Sequence, residues 1–141
     1  MKVGVDTNVL FYSLNKENPF HKEARENLAL LVEKGLAVIT QQNLVELAVA
    51  LTKRGVTSEA AVEYVKNFAE AIPILRPTGQ TLTLFLDRMN NFLARGVRLF
   101  DLYLAATFIS NGVEYLYTYN KKDFQNIEDI HLWKPSTFTR L

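Results

Sequence analysis

The sequence predicts an α/β domain in which a parallel sheet is covered by helices on both faces. Short β-prone runs alternate with longer amphipathic segments along the chain, the pattern that calls for parallel strands joined by helical crossovers. Stop signals at Gly35, Gly55, Gly96 and Asn111-Gly112 punctuate those segments one element at a time. The length of 141 residues suits one domain, residues 1–141, able to bury roughly two-thirds of its unfolded surface.

Each element has a local reason. Lys2 to Val5 is a short β-prone run ending on Asp6, Thr7 and Asn8, and Thr7 to Leu14 reads as a short helix. Asn15 to Asn18 is a polar loop. Pro19 fits a first helical turn and opens an amphipathic helix through Glu33, with Phe20, Ala24, Leu28 and Leu31 at helical spacing. Leu36 to Ile39 is a second strand of buried type. Thr40 is a good N-cap for a helix from Gln41 to Arg54, and Thr57 or Ser58 caps the next, to about Ala71. Ile72 to Leu75 is a third strand, placed at an edge by Pro73. Helices are expected over Thr78–Arg95 and Asp101–Ser110. Tyr115 to Thr118 is a fourth strand, followed by a polar turn, Tyr119 to Asp123. Ile130 to Trp133 is a candidate last strand before an irregular tail.

Composition narrows the function. At 48% hydrophobic and 22% charged the chain has the balance of an ordinary globular domain, and no apolar run approaches the roughly 18 residues of a membrane span. A charged amphipathic stretch begins by Lys16, so no secretory leader is expected. Zero cysteines exclude disulfides, thiolate metal sites and cysteine nucleophiles, and fit a reducing cytoplasm. The formal charge of +1 lacks the basic excess of a dedicated duplex-DNA binder. It leaves nucleic acid open as a ligand, because a metal cluster can hold phosphate without a basic surface.

The acids carry the chemical signal. Asp6 follows the first strand, and ligand sites of open α/β sheets lie at the carboxyl ends of strands; as a plain helix cap it would serve equally well. Asp101 follows Val97-Arg98-Leu99-Phe100 and is either an N-cap, with Arg98 close enough to pair, or a site acid. Asp123, after the fourth strand and beside Lys121 and Lys122, is a turn residue, a helix start or a third such acid. Asp87, beside Arg88, reads as a solvated helix face and Asp129 as loop. Most glutamates have a Lys or Arg at helical spacing. Glu46 has only Gln42, Asn43, Val49 and Ala50 there. A buried acid must be paired or bind a metal, so Glu46 is either in a tertiary ion pair with Arg98 or Arg54, or a ligand. Oxygen ligands without cysteine point to Mg²⁺ or Mn²⁺ and not zinc. Two such ions about 4 Å apart would polarise a phosphodiester and activate water. His21 and His131 read as surface residues.

With these residues assembled, the chain resembles the PIN-domain nucleases, most closely the VapC-type toxins of toxin–antitoxin pairs. The resemblance rests on Val5-Asp6-Thr7-Asn8-Val9-Leu10, Leu44-Val45-Glu46-Leu47, Asp101-Leu102-Tyr103-Leu104-Ala105-Ala106 and Tyr117-Thr118-Tyr119-Asn120-Lys121-Lys122-Asp123-Phe124. It implies a three-layer α/β/α PIN-like fold around a parallel sheet. It implies a metal site of Asp6, Glu46, Asp101 and Asp123 holding one or two Mg²⁺ or Mn²⁺ ions, with Thr7, Asn8, Thr118 and Asn120 as polar support. It also implies metal-dependent cleavage of RNA, a homodimer, and a VapB-like antitoxin whose tail reaches the acidic site. Many relatives carry an acid where this chain has Asn120, a role that falls to Asp123 if it is filled at all. Lys53, Arg54, Arg95 and Arg98 are candidate phosphate contacts or simply solvated helix ends.

Other readings stay open. A PIN nuclease of RNA processing would look the same. An aspartyl-phosphate phosphatase favours a second Asp at the position of Asn8. A non-catalytic module would use the acids as caps and ion pairs. The helices Pro19–Glu33 and Gln41–Ala71 offer apolar surface beyond what a small sheet needs, and part of it is expected to form a homodimer face or an antitoxin groove.

Overall fold

The structure, a computed structural model, describes residues 1–92 and 94–140. In chain order the elements are β1 (Val3–Val5), α1 (Thr7–Leu14), α2 (His21–Glu33), β2 (Ala37–Thr40), α3 (Gln41–Lys53), α4 (Ser58–Ala71) and β3 (Ile74–Leu75). There follow α5 (Thr81–Phe92), α6 (Arg98–Ser110), β4 (Tyr115–Tyr117), α7 (Lys121–Phe124) and β5 (His131–Leu132), with a 3₁₀ turn over Pro135–Arg140 in the expected irregular tail. The strands form one five-stranded sheet in the order β3-β2-β1-β4-β5, with every pairing parallel. β3, shorter than the expected Ile72–Leu75 and preceded by Pro73, stands at an edge, in keeping with the missing N–H of the proline.

Alternation along the strands builds two cores, one on each face. Val3, Val5, Ala37, Ile39 and Tyr117 join α1, α2, α3 and α4 residues in one cluster. Val38 and Leu116 face the other way, into a cluster with Leu102, Leu104, Ala105 and Phe108 of α6 and Phe124 of α7. That is the three-layer α/β/α arrangement. Gly4 lies on the second face, and a Cβ there would meet three atoms of the Phe108 ring at 2.9 Å. The missing side chain is what lets α6 lie so close to the central strand.

Three helix starts differ from expectation, each for a local reason. Pro19 and Phe20 lie in the turn before α2, where Asn18 Oδ1 accepts from Phe20 N at 2.8 Å and delays the helix. Thr78 N donates to Thr81 Oγ1 at 2.8 Å, so α5 starts at Thr81; Leu93, within the expected helix, lies outside the described residues. α6 begins three residues before Asp101, with Val97 at its N-cap and no side-chain cap bond. Asp101 is therefore not an N-cap but a member of the first helical turn. Among the described residues, no helix is long and apolar enough to cross a membrane.

Candidate active site

Asp6 occupies the junction of β1 and α1. Its extended backbone makes it the N-cap of α1, with Oδ1 accepting from Thr7 N at 2.8 Å, so the capping reading describes one of its two oxygens. The other accepts from Thr118 Oγ1 at 2.7 Å and Asn8 Nδ2 at 3.2 Å. Asn8 also reaches Thr118 Oγ1 at 3.3 Å, and its own Oδ1 accepts from Tyr119 N at 3.1 Å. The ends of β1 and β4 are thereby tied together around one carboxylate that is only 6% exposed. Burial pushes its pKa up, the hydrogen bonds from Thr118, Thr7 and Asn8 oppose that, and the charge of Asp123 adds to it.

Glu46 comes to the same place from α3. It is half-buried and accepts a long hydrogen bond, 3.4 Å, from Thr7 Oγ1. The ion pair considered for it does not form: Arg98 pairs with Asp123, and the Arg54 guanidinium lies over the Phe11 ring at 5.8 Å. Burial raises the Glu46 pKa first, then the charge of Asp6, against hydrogen bonds from Gln42 and Thr7.

Among the described residues, Asp101 has no cationic partner either. Its pKa is raised to about 7, by burial first and then by the charges of Asp6, Asp123 and Glu46, with a hydrogen bond to Asp123 as a further cause. The fourth acid stands on α7, a one-turn helix, so that of the turn and the helix start considered for Asp123 the helix start is the one that forms. There Asp123 Oδ2 accepts from Asn120 Nδ2 at 2.6 Å, and Oδ1 lies 3.6 Å from Arg98 Nε. Asn120 N in turn donates to Thr118 Oγ1 at 2.9 Å.

An open groove of about 1080 Å³ runs past these acids. Its lining combines Glu46, Asp101, Asp123 and Asn120 with Val45, Val49, Ala50, Val97 and Phe100, and it includes Lys53, Arg98 and Gln42. Two of the four candidate phosphate-contacting cations therefore line it; Arg54 turns to Phe11, and Arg95 is exposed elsewhere. Asp87 is exposed as expected, whereas Asp129 forms an ion pair with Arg88. His21 Nδ1 lies 2.8 Å from Tyr12 O, a local structural contact.

Asn43 is the supporting residue that the sequence reading passed over. It is 0% exposed; its Oδ1 accepts from Thr40 N at 2.8 Å, and its Nδ2 donates to Thr7 Oγ1 at 3.1 Å. One amide thus closes a capping box at the start of α3 and orients the hydroxyl that faces Glu46. Thr40-Gln41-Gln42-Asn43 carries the spacing of such a box, the signal that could have found it.

Among the described residues, no three acidic, histidine or cysteine side chains are gathered tightly enough to form a ready-made metal cluster. The site is four acids whose charges act on one another, with Asp123 also held by Asn120 and Arg98. Its donor chemistry, all carboxylate oxygen with negative charge in excess, fits a hard divalent cation.

A family model described as the PIN domain matches residues 3–130. No curated protein matches the chain. Among solved structures, the fold is similar to VapBC2 from Rickettsia felis bound to a DNA fragment from its promoter, with TM-score 0.73, 21% identity, and coverage of 95% of this chain and 100% of that one. It is also similar to VapBC-1 from nontypeable Haemophilus influenzae, at TM-score 0.71, 20% identity, and coverage of 95% and 98%. A third likeness is to Mycobacterium tuberculosis VapC20, a sarcin-ricin-loop-cleaving toxin, at TM-score 0.70, 15% identity, and coverage of 88% and 94%.

Proposed function

The chain belongs to the PIN-domain family, and we propose that it is a Mg²⁺- or Mn²⁺-dependent endoribonuclease, the cytoplasmic toxin of a toxin–antitoxin pair. The observation that carries this reading is the meeting of four acids from four separate segments. Asp101 alone feels the charges of Asp6, Asp123 and Glu46 together. Like charges are gathered in this way where a cation is to be received.

Asp6, Glu46, Asp101 and Asp123 would hold one ion or two. Such an ion supplies Lewis-acid activation of water and of the phosphodiester. The chain's own residues supply position. Thr7, Asn8 and Thr118 fix both oxygens of Asp6, Asn43 orients Thr7 toward Glu46, and Asn120 holds Asp123. Lys53 and Arg98 flank the acids in the groove and would meet the phosphate backbone.

The toxin half of the reading is supported by the toxin–antitoxin complexes among the similar folds. It is supported also by the exposed Val45, Val49, Val97 and Phe100, which give the groove an apolar wall suited to an amphipathic VapB-like segment. Leu82, Leu86 and Met89, exposed on α5 outside the helices singled out from sequence, are a further candidate surface for a homodimer.

The test is cleavage of single-stranded RNA with Mn²⁺, with EDTA, and by the Asp6→Asn and Asp101→Asn variants. Cleavage that depends on the metal and is lost in both variants supports the proposal. Cleavage that persists in the variants, or no cleavage together with no saturable Mn²⁺ stabilisation, sinks it.

A further inference from the structure

Beside the acids lies a run of aromatic rings that the hydrolytic chemistry does not use. Tyr119 stands between Thr118 and Asn120 in the chain, and its N–H is held by Asn8, the residue that also donates to Asp6. Two hydrogen bonds therefore separate the Tyr119 backbone from the Asp6 carboxylate. From there the rings lead outward. Tyr119 stacks on Phe20 with centroids 4.6 Å apart and planes 25° from parallel. Tyr12 packs against both, at 5.4 Å from Tyr119 and 6.2 Å from Phe20. The outermost ring, Phe20, is 46% exposed.

Hydrogen bonds orient the ring behind Phe20. Asn27 Nδ2 donates to the Tyr117 hydroxyl at 3.2 Å. The Tyr117 and Tyr119 hydroxyls are 2.6 Å apart, and Tyr119 donates to Glu23 Oε1 at 2.7 Å. The chain of donors runs one way, from Asn27 through Tyr117 and Tyr119 to Glu23, and fixes the orientation of the ring that backs Phe20. A surface ordered before its ligand arrives loses little entropy on binding.

Phe20 also breaks a local rule. It is the N-cap of α2 and makes no side-chain cap bond, at a position where Ser, Thr, Asp or Asn would stabilise the helix by roughly 1 kcal/mol. Local rules are broken most often where function requires it. A half-exposed aromatic ring stacked on Tyr119, which Asn8 ties to Asp6, matches the way unpaired bases are held, by stacking on aromatic side chains.

We propose that Phe20, backed by Tyr119 and Tyr12, is the stacking platform for one unpaired nucleobase of the RNA, close to the bond to be cut. The proposal rests on the nuclease reading of the adjacent acids. The platform selects single-stranded or looped RNA, because a base inside a duplex presents no free face to it.

The test compares Phe20→Leu, Phe20→Trp and Phe20→Ala in the full-length chain. It reads the KM and kcat of RNA cleavage with Mn²⁺, and RNA affinity in a non-cleaving Asp101→Asn background. Phe20→Leu keeps apolar packing but has no ring; it is expected to weaken binding roughly tenfold, through KM and not kcat, with the salt dependence unchanged. Phe20→Trp is expected to bind as well as the wild type or better. Wild-type affinity in Phe20→Leu, with thermal stability also retained, would overturn the platform and leave the nuclease reading intact. A wild-type protein that neither binds nor cuts RNA would overturn both.

Discussion

Gly4, on the central strand, and Asp6, just past its end, are two residues apart and obey opposite rules. Around Gly4 the molecule is filled to contact: the site has no side chain because Phe108, 0% exposed, occupies the space. Around Asp6 the molecule gathers charges that repel one another, and burial and those charges together raise three carboxyl pKa values. The first arrangement stabilises the fold. The second opposes it until something cationic arrives. Removing atoms should therefore cost stability at one place, and removing charge should add stability at the other.

The largest effect lies on the packed side. Phe108→Ala is expected to destabilise the protein by about 3–5 kcal/mol in denaturant titration, as truncation of a fully buried aromatic does. Gly4→Ala forces a methyl group against the same ring and should cost about 1–3 kcal/mol. Because the two residues meet, Gly4→Ala combined with Phe108→Leu should lose less than the sum of the single changes. Strict additivity would mean that the close approach of α6 to β1 is not what Gly4 provides.

On the acid side the sign reverses. The folded Asp101 carboxyl titrates near pH 7 against an ordinary value of 3.8, so the folded state holds this proton more tightly than the unfolded chain does. Its contribution to stability is complete below about pH 4 and is lost as pH rises through 7. Asp101→Asn imitates the protonated form and should stabilise the metal-free protein above pH 7, with no gain near pH 4. Discounted for the solvent screening of a half-buried group, the gain is about 1 kcal/mol, or roughly 3 °C in Tm for a domain of this size. Mn²⁺ should close the gap by stabilising the wild type more than the variant. Equal melting curves at pH 8 in EDTA would show that the repulsion around Asp101 is relieved in solution.

The sequence revealed what is local and hid what is tertiary. Pro73 marked an edge strand by its own chemistry, and Glu46 betrayed itself by lacking any cation within a helical turn. The helical position of Asp101 was hidden because α6 starts at Arg98, behind an N-cap, Val97, that makes no side-chain bond, leaving Asp101 as the residue that looked like a cap. The link from Asn43 to Thr7 spans 36 positions and exists only once β1 and β2 lie side by side. The Asp123 carboxylate is held likewise by Asn120 and Arg98, one close to it in the chain and the other brought in by the fold.

Arg98 gives the smallest effect and the finest discrimination, because it belongs to both regimes. It begins α6, the helix that packs Phe108, yet its Nε faces Asp123 at 3.6 Å from the wall of the groove. A cation in that position does two things that pull in opposite directions. It neutralises part of the acid cluster, which would weaken any hold on a divalent ion, and it would offer a positive charge to phosphate. Arg98→Ala should therefore tighten Mn²⁺ binding in calorimetric titration while weakening RNA binding. The slope of log affinity against log salt should become shallower by about one phosphate contact. If RNA affinity and salt slope are unchanged while Mn²⁺ binds more tightly, Arg98 is a counterion of the acids alone. If Mn²⁺ affinity is unchanged, the ion pair with Asp123 does not compete with the metal, and the acids are free to close on it without displacing the arginine.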